Sequence, residues 1–219
     1  EVVINYKFNA FPQNVAVLDI ERGQLGGIRD LFWQTDTSIS KKSWGYIEND
    51  EYKSANEIIC ALADIVSKNG ALLLNIGPKS DGTIPEEEQK ILLEIGRWLS
   101  INGKAIYETH PWKTFGEGPT KIKEGSFTDN EIVFTPQDIR FTVKDRNLYV
   151  IVMKQPQDNL IKIHSLGQFQ SDAFKINSVN LLGDGHLVKW THNKQDLTIQ
   201  IAKETSPYPI VFKLTINER

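Results

Sequence analysis

The sequence predicts a partial (β/α) barrel followed by an antiparallel β-sandwich, α/β in the first half of the chain and all-β in the second. Strand-like and helix-like patterns alternate up to Trp112. Beyond Ile132 no helical period survives and only short alternating runs follow. Residues 71–88 (ALLLNIGPKSDGTIPEEE) read as strand, loop and helix in succession, the unit from which such barrels are built.

Taken in order, VVINY (2–6) and VAVLDI (15–20) read as buried strands and LFWQT (31–35) as a shorter one. Residues 36–53, rich in Ser, Lys, Gly and Asn, form a long loop. Ser54 and Glu57 have capping-box spacing and open a helix, with Ile58, Ile59, Leu62, Ile65 and Val66 on one face, that stops at Asn69-Gly70. The run 71–76 fits a strand buried on both faces, broken at Gly77-Pro78. A second helix starts near Pro85 and ends at Asn102-Gly103. Glu86, Glu87 and Glu88 suit the positive end of its dipole, and Ile91, Leu92, Ile95, Trp98 and Leu99 are its buried face.

Residues 113–131, rich in Gly, Lys and Glu, read as a linker. Strands then follow at 139–143, 148–153, 160–166, 174–182, 187–190, 197–202 and 209–216, separated by turn signals such as Gly183-Asp184-Gly185. Two domains are expected, 1–112 and 113–219. The first holds too few strands to close an eight-stranded barrel. With no initiator methionine and no signal peptide ahead of the first strand, the chain reads as a fragment whose remaining barrel units lie N-terminal to Glu1.

Composition narrows the function. A net charge of −3 with both signs intermixed gives no basic footprint for nucleic acid. No apolar run approaches the roughly 18 residues of a membrane span. His110, His164, His186 and His192 are scattered without ligand spacing, so no metal is expected. The absence of a phosphate loop or nucleophile elbow leaves no cofactor motif. Cys60, the single cysteine, excludes an internal disulfide and reads as buried core.

The strongest chemical signal is VAVLDIERG. At a period of two, Val15, Val17, Asp19 and Glu21 share one strand face, which turns from apolar to acidic toward the strand's C-terminal end. A barrel strand does this where its upper end opens into an active-site mouth. Glycoside hydrolysis needs two carboxyl groups about the scissile bond. A solvated strand end with a Glu21–Arg22 surface pair fits the same letters.

Longer runs bear on that choice. VVINYK near the start, ERG at 21–23, SWGY at 43–46, YKSANEII at 52–59, LLLNIGPKSDGTIPEE at 72–87 and IGRWLSINGKAIYETHPW at 95–112 resemble, in order, the family 29 glycoside hydrolases, the α-L-fucosidases. IRFT, LYVIV and the SVNLLG–LVKW pair extend the likeness into the second half. The resemblance covers the C-terminal part of a catalytic barrel plus a C-terminal β-sandwich domain.

It implies a retaining enzyme that releases L-fucose from fucosylated glycans through an aspartate nucleophile and a glutamate acid/base. The ERG glutamate carries the acid/base role, here Glu21, with Asp19 as second choice. The nucleophile sits, in the family, on a W-x-D strand upstream of the VVINYK position. It is absent from this chain, so the isolated chain is expected to be inactive and to need the missing N-terminal part of the barrel as partner. Lys7 stands where many relatives carry arginine, placed to bond sugar hydroxyls or a carboxylate. Trp44 suits stacking on a sugar or anchoring its loop. Trp33 reads as core or rim, with its strand end directed toward the same mouth, and Asn75 as structural. Family habit implies a secreted, periplasmic or lysosomal setting. The alternative is a carbohydrate-binding β-sandwich module of a larger glycan-processing protein.

Overall fold

Four parallel strands, adjacent in sequence order, organise the first half: β1 (Asn5–Tyr6), β2 (Val17–Glu21), β3 (Trp33–Ser38) and β4 (Gly70–Asn75). The structure is a computed structural model that describes residues 2–8, 10–129, 132–168, 174–183, 188–201 and 206–218. The chain divides into two compact units, Glu1–Arg97 with Lys121–Ile132 and Trp98–Thr120 with Val133–Arg219, limits that do not coincide with a cut at 112/113.

In the first unit, α1 (Ala55–Ser67) connects β3 to β4. Its N-terminus is held by the expected capping box: the Glu57 amide donates to Ser54 Oγ, and Glu57 accepts from the Ser54 amide at 2.7 Å. Ile58, Ile59, Cys60, Ala63 and Ile65 are buried, whereas Leu62 and Val66 are half-buried. After β4 comes α2 (Glu86–Asn102), with Ile95 and Trp98 buried and Ile91, Leu92 and Leu99 half-buried. Beneath the sheet, Trp33, Ile20 and Ile65 form the core. Gly70 is required there, because a Cβ would lie 2.5 Å from the Trp33 ring and 2.8 Å from Ile65.

The structure corrects three expectations for this unit. Only Asn5–Tyr6 of the VVINY run is strand, and Val2, Val3 and Ile4 are exposed. β4 is not buried on both faces, since Leu73 is 54% exposed. Residues 121–129, within the stretch whose composition suggests a linker, pack into the unit: Gln24 bridges to Glu124 and Gly125, and the Gly125 amide donates to the Gln24 carbonyl at 3.0 Å. Backbone pairing to a partner some hundred residues away leaves no local periodicity, so a Gly-, Lys- and Glu-rich composition looks the same whether paired or free.

The second unit takes in the end of α2 from Trp98 onward and is otherwise built mainly of strands. One sheet has the order β5-β6-β7-β12-β9, from β5 (His110–Glu117), β6 (Ile139–Lys144), β7 (Asn147–Val152), β9 (Phe174–Leu181) and β12 (Ile210–Glu218). The other has the order β10-β11-β8, from β8 (Leu160–Ile163), β10 (Lys189–His192) and β11 (Leu197–Gln200). Every pairing is antiparallel. Side chains of both sheets, among them Phe141, Val150, Ile161, Ile163, Leu197, Ile199 and Phe212, close one apolar core. Strand β5 occupies part of the stretch expected to be a linker. His186 and the last two residues of the 183–185 turn lie outside the described residues.

Candidate functional site

Lys7 follows β1 by one residue, and three carboxylates converge on its ammonium. Its Nζ lies 2.9 Å from Asp36 Oδ2, 3.0 Å from Glu21 Oε2 and 3.8 Å from Asp19 Oδ2. The parallel register explains the convergence. β2 and β3 pair Asp19 with Gln34 and Glu21 with Asp36, so alternation puts all four side chains on one face, toward the C-terminal ends of the strands. Gln34 Nε2 donates to Asp19 Oδ1 at 3.3 Å. Asp36 Oδ1 is buried with no hydrogen-bond partner among the described residues.

The carboxylates differ in access. The Asp19 side chain is 7% exposed, Asp36 19% and Glu21 23%, so Glu21 is the most open of the three. Burial pushes the Asp19 carboxyl above its ordinary value of 3.8. The charges of Asp36 and Glu21 add to that, against the Gln34 hydrogen bond and the Lys7 charge. For Lys7, burial pulls downward but is outweighed by the hydrogen bonds and charges of Asp36 and Glu21, which hold it above 10.5.

A proton is therefore bound more tightly at Asp19 in the folded chain than in the unfolded one. That contribution to stability is complete below the unfolded pKa and is lost as pH rises through the folded pKa. Asp19→Asn has no such loss. In urea unfolding from about pH 3 to pH 7, the stability of wild type minus that of Asp19→Asn should fall as pH rises. A flat or rising difference would show that Asp19 is not the strained carboxyl.

The loop 40–46 flanks this cluster. Arg22, next to Glu21, donates to the carbonyls of Ser40 (3.2 Å), Lys41 (3.3 Å) and Ser43 (2.9 Å). Its guanidinium stacks 4.7 Å from the centroid of the Trp44 ring. Asn75 Nδ2 donates to the Trp44 carbonyl at 2.7 Å and to Ser38 Oγ at 3.1 Å, the structural role expected of it. Trp44 is left 38% exposed, with part of its ring open beyond the Arg22 stack.

Lys7, Asp19 and Glu21 thus meet with Asp36, Trp44 is tied to Glu21 through its neighbour Arg22, and Trp33 is not part of the cluster. Trp33 is fully buried, with its ring against Gly70 and its Nε1–H donated to the Lys68 carbonyl at 3.0 Å. It therefore has no open face for a sugar, and the substrate-binding expectation is corrected to core. Asp36 escapes a reading that ends its strand at Thr35. The alternation of Gln34, Asp36 and Ser38 with Trp33, Thr35 and Thr37 is the signal that could have found it.

The second unit has a cleft of about 780 Å³, lined by Lys113, Glu117, Asp158, Lys162 and His164 among others. None of its lining residues is a Trp, Tyr or Phe, so it offers no stacking platform for a sugar. Among the described residues, no group of three or more His, Cys, Asp or Glu is arranged to hold a metal ion, and no helix is long and apolar enough to cross a membrane.

Comparison with known proteins places both halves. Residues 2–104 match the family described as alpha-L-fucosidase, and residues 132–216 match the alpha-L-fucosidase C-terminal domain. Tissue alpha-L-fucosidase of Rattus norvegicus is 34% identical over 167 residues, 75% of this chain and 32% of that protein. Plasma alpha-L-fucosidase of the same species is 35% identical over 171 residues, 74% of this chain and 32% of that protein. The crystal structure of Thermotoga maritima alpha-fucosidase with a mechanism-based inhibitor superposes with a TM-score of 0.68 at 29% identity, covering 85% of this chain and 40% of that one. The chain spans about a third of the length of the curated relatives it matches.

Proposed function

Since the chain belongs to the α-L-fucosidase family, we propose that it forms part of a retaining glycosidase that releases L-fucose from fucosylated glycans. The observation that carries this reading is the convergence of Glu21, Asp36 and Asp19 on Lys7 at the C-terminal ends of adjacent parallel strands. We take the β1–β4 sheet as an arc of a (β/α)8 barrel, in which such strand ends face the substrate. The domain division at 112/113 belongs to the same reading.

A general acid needs a proton and a path to the leaving oxygen. Glu21, the most open of the three carboxyls, has the path, and we assign it the acid/base role. Asp19 stands second. Burial raises its carboxyl above the ordinary value, but it is the least accessible. Asp36 fixes the Lys7 ammonium, which is left to meet sugar hydroxyls, and Trp44 offers its ring to the apolar face of the sugar. The nucleophilic aspartate, and the strands that would cover Val2, Val3, Ile4 and Leu73, we place in polypeptide outside residues 1–219. A secreted, periplasmic or lysosomal setting follows family habit.

The test is release of 4-nitrophenol from its α-L-fucoside by the full-length natural polypeptide that contains residues 1–219. Lys7→Met is expected to raise KM for that substrate while leaving an α-D-glucoside uncleaved. No cleavage by that polypeptide would overturn the reading. The sandwich-module alternative predicts instead that fucose binding survives Lys7→Met and is lost on Lys162→Ala in the cleft of the second unit.

A further inference from the structure

We propose that Asp129 is a positioning residue that sets the loop 40–44 and, through Arg22, the orientation of Trp44. This rests on the reading above only in so far as Trp44 meets the sugar. Asp129 Oδ2 accepts from Lys53 Nζ at 2.7 Å and from Thr37 Oγ1 at 2.5 Å, and lies 3.9 Å from Arg22 Nη1. Lys53 also donates to Thr37 Oγ1 and to the Ser38 carbonyl. Lys53 is 8% exposed and Arg22 9%, so two buried cations share this one carboxylate.

The charge balance gives Asp129 its importance. Burial holds Lys53 below its ordinary value, and the Arg22 charge pushes the same way, against the Asp129 hydrogen bond and charge. Without the carboxylate, the two buried cations lose their shared counter-ion, and only the weaker negative charge of Glu57 still acts on Lys53. Arg22 is the partner that couples the carboxylate to the loop, because its guanidinium is held otherwise by three loop carbonyls and the Trp44 ring. Displacing it releases the carbonyls and the stacking surface together.

The backbone of the same segment pins the turn after Glu21. The Phe127 amide donates to the Glu21 carbonyl at 2.8 Å, and the Thr128 and Asp129 amides donate to the Arg22 carbonyl at 2.8 and 2.9 Å. Arg22 is held there at a φ of 45°, which a non-glycine residue rarely adopts. Gly23 follows because a Cβ would overlap the Gly125 carbonyl oxygen. The three residues of Glu21-Arg22-Gly23 thus serve different ends. Glu21 faces the site, Arg22 carries the loop, and Gly23 lets the 124–129 segment pass.

The experiment measures acrylamide quenching of Trp44, taken as the difference between each protein and its Trp44→Phe counterpart, on residues 1–219. Asp129→Asn is expected to raise the Trp44 quenching constant about twofold as the guanidinium leaves the ring, while Asp129→Glu retains the native value. If Asp129→Asn does not fold, Asp129→Asn with Lys53→Met removes the second buried cation, and Arg22, still without its counter-ion, is expected to raise the constant in the same direction by a smaller factor. Unchanged Trp44 quenching in the folded variant overturns the proposal. In the polypeptide that cleaves the aryl fucoside, Asp129→Asn should raise KM about fivefold with kcat within about twofold, and this effect should vanish in the Trp44→Phe background. Raised quenching with unchanged KM supports the positioning role and overturns the contact of Trp44 with the sugar.

Discussion

Glu21→Gln is expected to lower kcat/KM for fucosides with poor leaving groups by roughly 10²–10⁴-fold, the usual worth of general acid catalysis. Activated aryl fucosides should lose no more than about tenfold, because their leaving oxygen needs little protonation. The contrast is best read in kcat/KM, which reports transition-state stabilisation relative to free enzyme and substrate. Glutamine keeps the shape of the side chain and one accepting oxygen but removes one of the two negative charges within 3.0 Å of Lys7 Nζ. Lys7→Met is therefore the control: it disturbs the ion pair without removing the acid, and should slow both substrate classes alike. Equal losses in Glu21→Gln would transfer the acid role to Asp19, whose carboxyl burial already favours in its protonated form.

How far the site was legible follows the range of the interactions that build it. The alternation in β2 places Asp19 and Glu21 on one face, and that is a property of five consecutive residues. The capping box at Ser54 is equally local. Asp36 depends on the β2–β3 register, and Trp33 on whether a glycine lies beneath its ring, facts set by partners 15 and 37 positions away. Alternation gives the face of Asp36, but neither its pairing opposite Glu21 nor the glycine under Trp33 can be read from period or composition. Asp129 is the extreme case: one acid in a polar stretch, given meaning only by Lys53 and Arg22. The family likeness supplied what periodicity could not, the role proposed for Glu21, while the hydrogen bonds around Arg22 required coordinates.

The largest stability effect is expected at Lys68, which caps α1 and whose side chain, like that of Asp64, is wholly buried. Its Nζ donates to Asp64 Oδ2 at 2.6 Å and to the Leu25 carbonyl at 2.8 Å. Its own carbonyl accepts from Trp33 Nε1, so the residue ties helix end, loop and core together. Lys68→Met leaves a buried carboxylate without its ammonium, and breaking a pair in this way costs about 3–5 kcal/mol. Against the roughly 5–15 kcal/mol of a typical domain, that is a large fraction. Replacing both partners, Asp64→Leu with Lys68→Met, removes both buried charges and should recover most of the loss, because the desolvation of two ions disappears with their attraction. Urea unfolding of the four proteins in the cycle measures the coupling. A double variant as unstable as Lys68→Met alone would mean that the methylene packing of Lys68 and its bond to Leu25, not its charge, hold this corner of the unit.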